Sequence, residues 1–413
     1  MSFDRTKVCV IGGGAAGLMC AGKAAELGCD VTLYEKKSAV GRKLAITGKG
    51  RCNVTNNCDR NTFIENVPTN PRFLYAAYSN FTSEDTMAFF ENMGVELKTE
   101  RGNRVFPVSD RSFDIVDALR DFCKKNGVKI VYEAVDDLVV EDGCIKGVIV
   151  AGKTVLYDKV AVCTGGKSYP QTGSDGDGFL FAERLGINII EPKPSLVPLE
   201  TEEIWPRSLM GLSLKNVRVS VFDKIKQKEI YSDFGEMLFT HFGLSGPTIL
   251  SASCHMKPMQ KGRYSVRIDL KPALDEKTLD SRLLGDFEKY KNKNYGNSLG
   301  ELLPQKLIPV FVDLTKIPED KKVNNITRAE RQTILKTLKC LECTVRGFRP
   351  IEEAIITSGG VDVKEIDPKT MMCKKIENLY FAGELIDVDA YTGGFNLQIA
   401  FSTANLAAID IAR

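Results

Sequence analysis

Six residues near the start, Gly12-Gly13-Gly14-Ala15-Ala16-Gly17, follow directly on the apolar run Val8-Cys9-Val10-Ile11 and restrict this chain more than any other segment. After them comes a stretch rich in small residues at helical spacing, 18–28, and then Val31-Thr32-Leu33-Tyr34-Glu35. That order predicts strand, tight turn, helix and second strand, the opening of a Rossmann-like α/β unit. Gly12 permits the turn, Gly14 lets backbone approach a pyrophosphate, and Gly17 lets helix and strand pack closely. The helix start, with Ala15 and Ala16, offers N–H donors and a positive dipole to such an anion. Glu35 ends the second strand, where a carboxylate can accept hydrogen bonds from a ribose diol, and Lys36 beside it joins the candidate set. An acid at this place favours an unphosphorylated ribose, which suits FAD or NAD. A glycine-rich turn can also be a plain connection, but here every part of the motif stands in order.

The glycines do not choose between those cofactors; three later segments favour FAD. Residues 41–56 are dense in glycine, cations and small polar side chains, with Arg42, Lys43, Gly48, Gly50, Arg51, Cys52 and Asn53 as candidates. Such a stretch cannot form a core strand, but its amides and cations can wrap an anionic cofactor. A solvated basic loop is the competing reading. Cys144 to Gly166 reads as a hairpin-like stretch whose last strand runs into Thr164 and Gly165. Finally Leu379-Tyr380-Phe381-Ala382 leads into Gly383 and Glu384, then Asp387, Gly393, Gly394, Phe395, Asn396 and Leu397, and a helical run. An acid there can meet a ribityl chain, and a glycine pair opening a helix can aim N–H groups at a flavin edge.

These nucleotide-binding elements lie at the two ends of the chain, so the Rossmann-like domain is expected to be discontinuous, 1–190 with 345–413. The remainder, 191–344, is an insert, β-rich over 191–270 and helical over 271–344. Its start, residues 191–200, is proline-rich and reads as a boundary. No second glycine motif follows a strand beyond residue 36, so no separate NAD(P) domain is expected. NADH or NADPH, as electron donor, would have to reach the flavin through the substrate cleft or a shallow surface site.

Composition narrows the class. The 413 residues, 43% of them hydrophobic, can bury a large core. A formal net charge of +2 gives no general preference for polyanions. The insert is mildly basic, with about 25 Lys+Arg against about 20 Asp+Glu. That suits an RNA partner, and equally a mixed solvated surface. No apolar run is long enough to span a membrane, and the polar opening Met1–Lys7 does not resemble a signal peptide. With twelve scattered cysteines read as free thiols, a cytoplasmic enzyme is expected. Two histidines without nearby acids give no metal site. The pattern fixes no oligomeric state.

Reduction of a double bond by a flavin needs a proton donor, and two side chains are candidates. His241 lies in Phe239-Thr240-His241-Phe242-Gly243, where bonding to a loop carbonyl is the competing role. Tyr391 stands between Asp387 and the Gly393-Gly394 pair, where its phenol could donate a proton or merely stack. Cys52 and Cys58 have five residues between them, in CNVTNNC, which reads as loop. That spacing does not match a redox dithiol on a helix.

Together, GGGAAGL at 12–18, GRKLAITGKGRCNVTN at 41–56, TGGKSYPQTGSDGDG at 164–178, FTHFGLSGPTIL at 239–250 and the segment 358–400 resemble the BaiN/YhiN-type NAD(P)/FAD-dependent oxidoreductases. The resemblance implies a Rossmann-like FAD domain, an inserted β-rich domain and a small helical subdomain, with FAD at the matching positions. It leaves the reaction open. Members are linked to reduction of conjugated C=C bonds in bile acid intermediates, to dihydrouridine formation in ribosomal RNA, and to amine oxidation. The expectation is therefore a NAD(P)H-fed reductase acting on a small conjugated substrate or a uracil of ribosomal RNA. An O2-using amine oxidase and a non-catalytic flavin-bearing module for RNA or protein are the alternatives.

Overall fold

The computed structural model describes residues 5–413, so the first part of the polar opening, Met1–Asp4, lies outside the described residues. The chain divides into two compact units. One is the chain up to Ser195 together with Pro350–Arg413, and the other is Leu196–Arg349.

The first unit is Rossmann-like. Its strands Lys7–Ile11 (β1), Asp30–Tyr34 (β2), Lys129–Val131 (β3), Lys159–Val162 (β4) and Leu379–Phe381 (β5) form one parallel sheet in the order β5-β4-β1-β2-β3. Val8, Cys9 and Val10 of β1 are fully buried, the continuous apolar reading of a strand covered on both faces. Three helices matter for the site: Ala15–Glu26 (α1), Ser112–Lys125 (α2) and Phe395–Ile411 (α3). Small residues let α1 sink into the core; a Cβ on Gly22 would lie 2.3 Å from the Phe122 ring of α2. Helix α3 is buried on nearly all sides, so its polar residues must find partners inside the protein.

The stretch from Cys144 splits between two sheets. Cys144–Val150 and Lys153–Leu156 form a hairpin beside Val135–Glu141, and β4 then joins the parallel sheet. A second three-stranded sheet pairs Thr55–Asn56 and Leu97–Glu100 with Arg104–Pro107 between them. Residues 191–195, in the proline-rich stretch read as a boundary, are strand up to the division between the units: Ile189–Ser195 pairs antiparallel with Ile356–Val361. A register shift between Ile190 and Lys193 absorbs the first proline there.

The second unit is built on a closed antiparallel barrel. Around it run Leu199–Thr201, Gly243–Ser245, Lys228–Phe239, Ser213–Asp223, Tyr264–Asp269 and Leu341–Phe348. Alternation sets the inner face: Val217, Val219 and Val221 are buried while Arg218 is exposed. Helices Glu276–Lys289, Ile308–Thr315 and Arg328–Lys339 add Leu279, Phe311 and Leu338 to the same core. Among the described residues no helix is long and apolar enough to cross a membrane.

Candidate functional site

The site begins at the turn between β1 and α1. Gly12 has φ +100°, and a Cβ there would sit 2.7 Å from the Cys163 carbonyl oxygen. A Cβ on Gly17 would sit 1.7 Å from the Gly12 carbonyl oxygen, so this turn of chain closes only around hydrogen. Gly14 caps α1, and a Cβ built on it meets nothing within 4 Å, so open space lies beside it at the start of α1. The first-turn amides, at Ala15 and Ala16 among others, have no intrahelical acceptor by geometry and carry the positive end of the dipole.

Glu35 fastens this turn. Its Oε2 accepts from the Gly13 amide at 2.9 Å and its Oε1 from the Lys37 amide at 2.8 Å, and it is nearly buried. The Gly41 amide donates to the Gly13 carbonyl at 2.8 Å, bringing the 41–46 segment against the same turn. Lys36 pairs with Asp175 and Asp177, drawing the 164–178 loop over the end of β2. Arg42 reaches the Gln171 carbonyl of that loop at 3.3 Å.

A polar cluster joins four segments. Lys43 Nζ donates to Glu384 Oε2 and to Ser168 Oγ, both at 2.6 Å. Glu384 Oε1 accepts from Ser168 Oγ at 3.0 Å and from the Thr357 amide at 2.9 Å. The Thr357 hydroxyl in turn accepts from the Lys167 amide at 2.8 Å. Gly383, with φ +78°, brings the end of β5 against α1, since a Cβ there would lie 2.8 Å from that of Ala16. Ser168 and Thr357 are missed by a motif reading. Ser168 stands inside the glycine-rich segment 164–178, but nothing local marks Thr357.

Gly48 and Gly50 take positive φ, and so do Lys49 (φ +61°) and the buried Cys52 (φ +58°). Beside them, Asn53 Oδ1 and, next to Gly165, Thr164 Oγ1 are buried atoms with no hydrogen-bond partner among the described residues. Both lie beside the glycine turns of this site, where a bound ligand can satisfy them. The loop then lies against the start of α3: a Cβ on Gly394 would sit 2.3 Å from Thr55 backbone, and Asn56 Nδ2 donates to the Gly393 carbonyl at 3.0 Å.

Other candidates sit differently. Arg51 turns to Glu100, at the end of Leu97–Glu100, and to Asp110, in the turn after Arg104–Pro107, with its guanidinium 4.2 Å from the Phe106 ring centre. Phe395 is buried against Phe63 and Leu397 packs on the core, so their side chains serve packing. Asn396 closes the loop before α3, exchanging bonds with Ala390 at 2.8 and 2.9 Å. Asp387 is buried and accepts from Asn70 Nδ2 at 2.9 Å. Tyr391 is half-buried in that same loop, its amide bonded to the Asn66 carbonyl. His241 belongs to the other unit. It is exposed in the turn before Gly243–Ser245, with its ring 4.9 Å from that of Phe242. Cys52 and Cys58 are free thiols; burial pushes Cys52 well up and Cys58 to about 11, away from thiolate chemistry.

A family model described as the HI0933-like protein Rossmann domain matches residues 6–410. The chain belongs to the HI0933-like family. Among curated relatives, the ribosomal RNA dihydrouridine synthase of Haemophilus influenzae is 31% identical, across 98% of both chains. The 3-dehydro-bile acid delta(4,6)-reductase of Clostridium scindens is 28% identical, across 97% of this chain and 98% of its own. In fold the chain is similar to the 3-ketosteroid-delta4-(5alpha)-dehydrogenase of Rhodococcus jostii RHA1. The TM-score is 0.50 at 15% identity, covering 100% of this chain and 98% of that one.

Proposed function

We propose that this member of the HI0933-like family is an FAD-dependent oxidoreductase that reduces a C=C bond conjugated to a carbonyl, with NADH or NADPH as electron donor. The observation that carries the reading is the convergence of the Gly12–Gly17 turn, Glu35, the Lys43–Glu384–Ser168 cluster and the start of α3 within one unit. The orphaned acceptors Asn53 Oδ1 and Thr164 Oγ1 fit a ligand rich in hydroxyl and ring N–H donors.

In this reading the α1 N-terminus binds the diphosphate. Glu35 keeps lone pairs for a ribose diol while holding the Gly13 amide in place. Lys43 and Glu384 orient the ribityl region, and the amides at the Gly394 end of α3 stabilise negative charge at the ring edge. The chemistry FAD supplies when bound is two-electron hydride exchange. Tyr391, in the same unit as the cluster, is the side chain proposed to hold the proton that completes reduction of the alkene.

The relatives support the reductase reading through what their names share. Dihydrouridine is uridine with its carbonyl-conjugated C=C bond saturated, and a delta(4,6)-reductase saturates conjugated C=C bonds. Both are the same reaction on differently shaped acceptors.

The test is an anaerobic titration of the purified chain with NADH and then NADPH, followed by its visible spectrum. Bleaching of a flavin spectrum within seconds is expected, with recolouring by an enone or by ribosomal RNA identifying the acceptor. A flavin that stays oxidised with both donors, but bleaches with a primary amine and releases peroxide in air, overturns the reductase in favour of an oxidase.

A further inference from the structure

We infer that Arg51 is a positioning residue rather than a cofactor ligand: with Lys98, Glu100 and Asp110 it clamps the 47–56 loop so that Asn53 is preset for FAD. The inference rests on the FAD reading above.

A cation set among glycines looks like an anion ligand, yet the Arg51 guanidinium is already engaged on several sides. Nη2 meets Glu100 and lies 2.7 Å from Asp110, and Nε donates to Asp110 Oδ1 at 2.8 Å. Nη1 reaches the second Glu100 oxygen at 3.4 Å, and the Phe106 ring covers the plane of the group. Lys98 Nζ shares Asp110 at 2.8 Å. Arg51 and Lys98 hold the carboxyls of Glu100 and Asp110 below the usual range, as partners committed to each other do.

Arg51, Lys98 and Glu100 are about a third exposed and Asp110 nearly half, and one such pair alone would contribute little. Here four charges and a ring act on one short loop. Backbone bonds finish the clamp: Val54 N to the Val105 carbonyl and Ser112 N to the Gly50 carbonyl, both at 2.9 Å. What they hold is costly to hold. Lys49 and Cys52 are both left-handed without being glycine, a state that persists only where the surroundings over-determine it. The residue after Cys52 carries the orphaned, buried acceptor.

The experiment reads FAD dissociation from the purified full chain, by flavin fluorescence on dilution, for wild type, E100Q/D110N, R51Q, R51Q/E100Q/D110N, R51K and K98Q. The bound-flavin visible circular dichroism and the melting temperature are recorded alongside. In the clamp, E100Q/D110N weakens FAD binding about tenfold, because the loop must then be ordered at the moment of binding. R51Q does the same, R51Q in the E100Q/D110N background adds nothing, R51K restores part of the affinity, and K98Q costs less. A direct anion ligand gives the opposite sign, since neutralising two acids frees its guanidinium and binding tightens or stays. That result in E100Q/D110N overturns the inference, and in K98Q an affinity at or above wild type does so should the double variant not fold. A wild-type chain that takes up no FAD overturns the cofactor reading instead.

Discussion

A methyl group on residue 17 would sit 1.7 Å from the Gly12 carbonyl oxygen, well inside contact distance, with no flexible side chain to give way. Gly17→Ala must therefore push α1 off β1, at a cost of about 1–3 kcal/mol or more. Denaturant unfolding should show the loss, and the purified variant should carry little flavin. Glu35→Ala acts differently, leaving the Gly13 and Lys37 amides without their acceptor. The expected penalty is about 1–3 kcal/mol, with FAD affinity lower by on the order of tenfold; a stable, fully yellow Glu35→Ala protein would remove its role. At this scale the sequence is legible where the chemistry is local, as in Gly12, Gly14, Gly17 and Glu35. It is silent on the partners of Arg51, whose acids Glu100 and Asp110 lie far along the chain and cannot be paired with it by inspection. Thr357 is silent for the same reason, since its bonds to Lys167 and Ser168 exist only once the strand Ile356–Val361 is brought against the loop that carries them.

Helix α3 depends on one fully buried amide. Gln398 Oε1 accepts from Thr55 and Thr86 at 2.6 and 2.8 Å, and its Nε2 donates to the Phe81 carbonyl and Ser402 at 3.0 Å. Gln398→Leu keeps the volume but strands the buried Thr55 hydroxyl, while Thr86 keeps the Thr82 carbonyl at 3.1 Å, so a loss of about 1–3 kcal/mol is expected in denaturant unfolding. The barrel has its own polar anchor. Asp223 is buried and takes a forked contact from Arg263, which lowers its carboxyl to about 2. A depressed carboxyl stabilises the fold fully above the ordinary aspartate value near 3.9 and loses that effect as pH falls toward about 2. The melting temperature of wild type should thus drop more steeply across that acid window than that of Asp223→Asn; parallel curves would dismiss the pair. Barrel strands such as Ser213–Asp223 announce themselves by alternation. Closure of the barrel does not, because Leu199–Thr201 meets Leu341–Phe348 through a register that no local pattern encodes.

Among the described residues none of the twelve cysteines forms a disulfide, and Cys340 alone of them is exposed, with Cys58 and Cys144 half-buried. Thiol labelling of the native chain should therefore show one fast site, and twelve after denaturation without reductant; fewer than twelve would reveal a disulfide. The division into two units carries a consequence for how such a chain is made. Everything the barrel needs lies between Leu196 and Arg349, whereas the parallel sheet lacks its edge strand until Leu379–Phe381 and its buried helix until Ile411. On a ribosome emitting from the N-terminus, the middle of the protein can finish folding while the first half still waits for its partner. The nucleotide cradle is thus among the last parts of the nascent chain to mature.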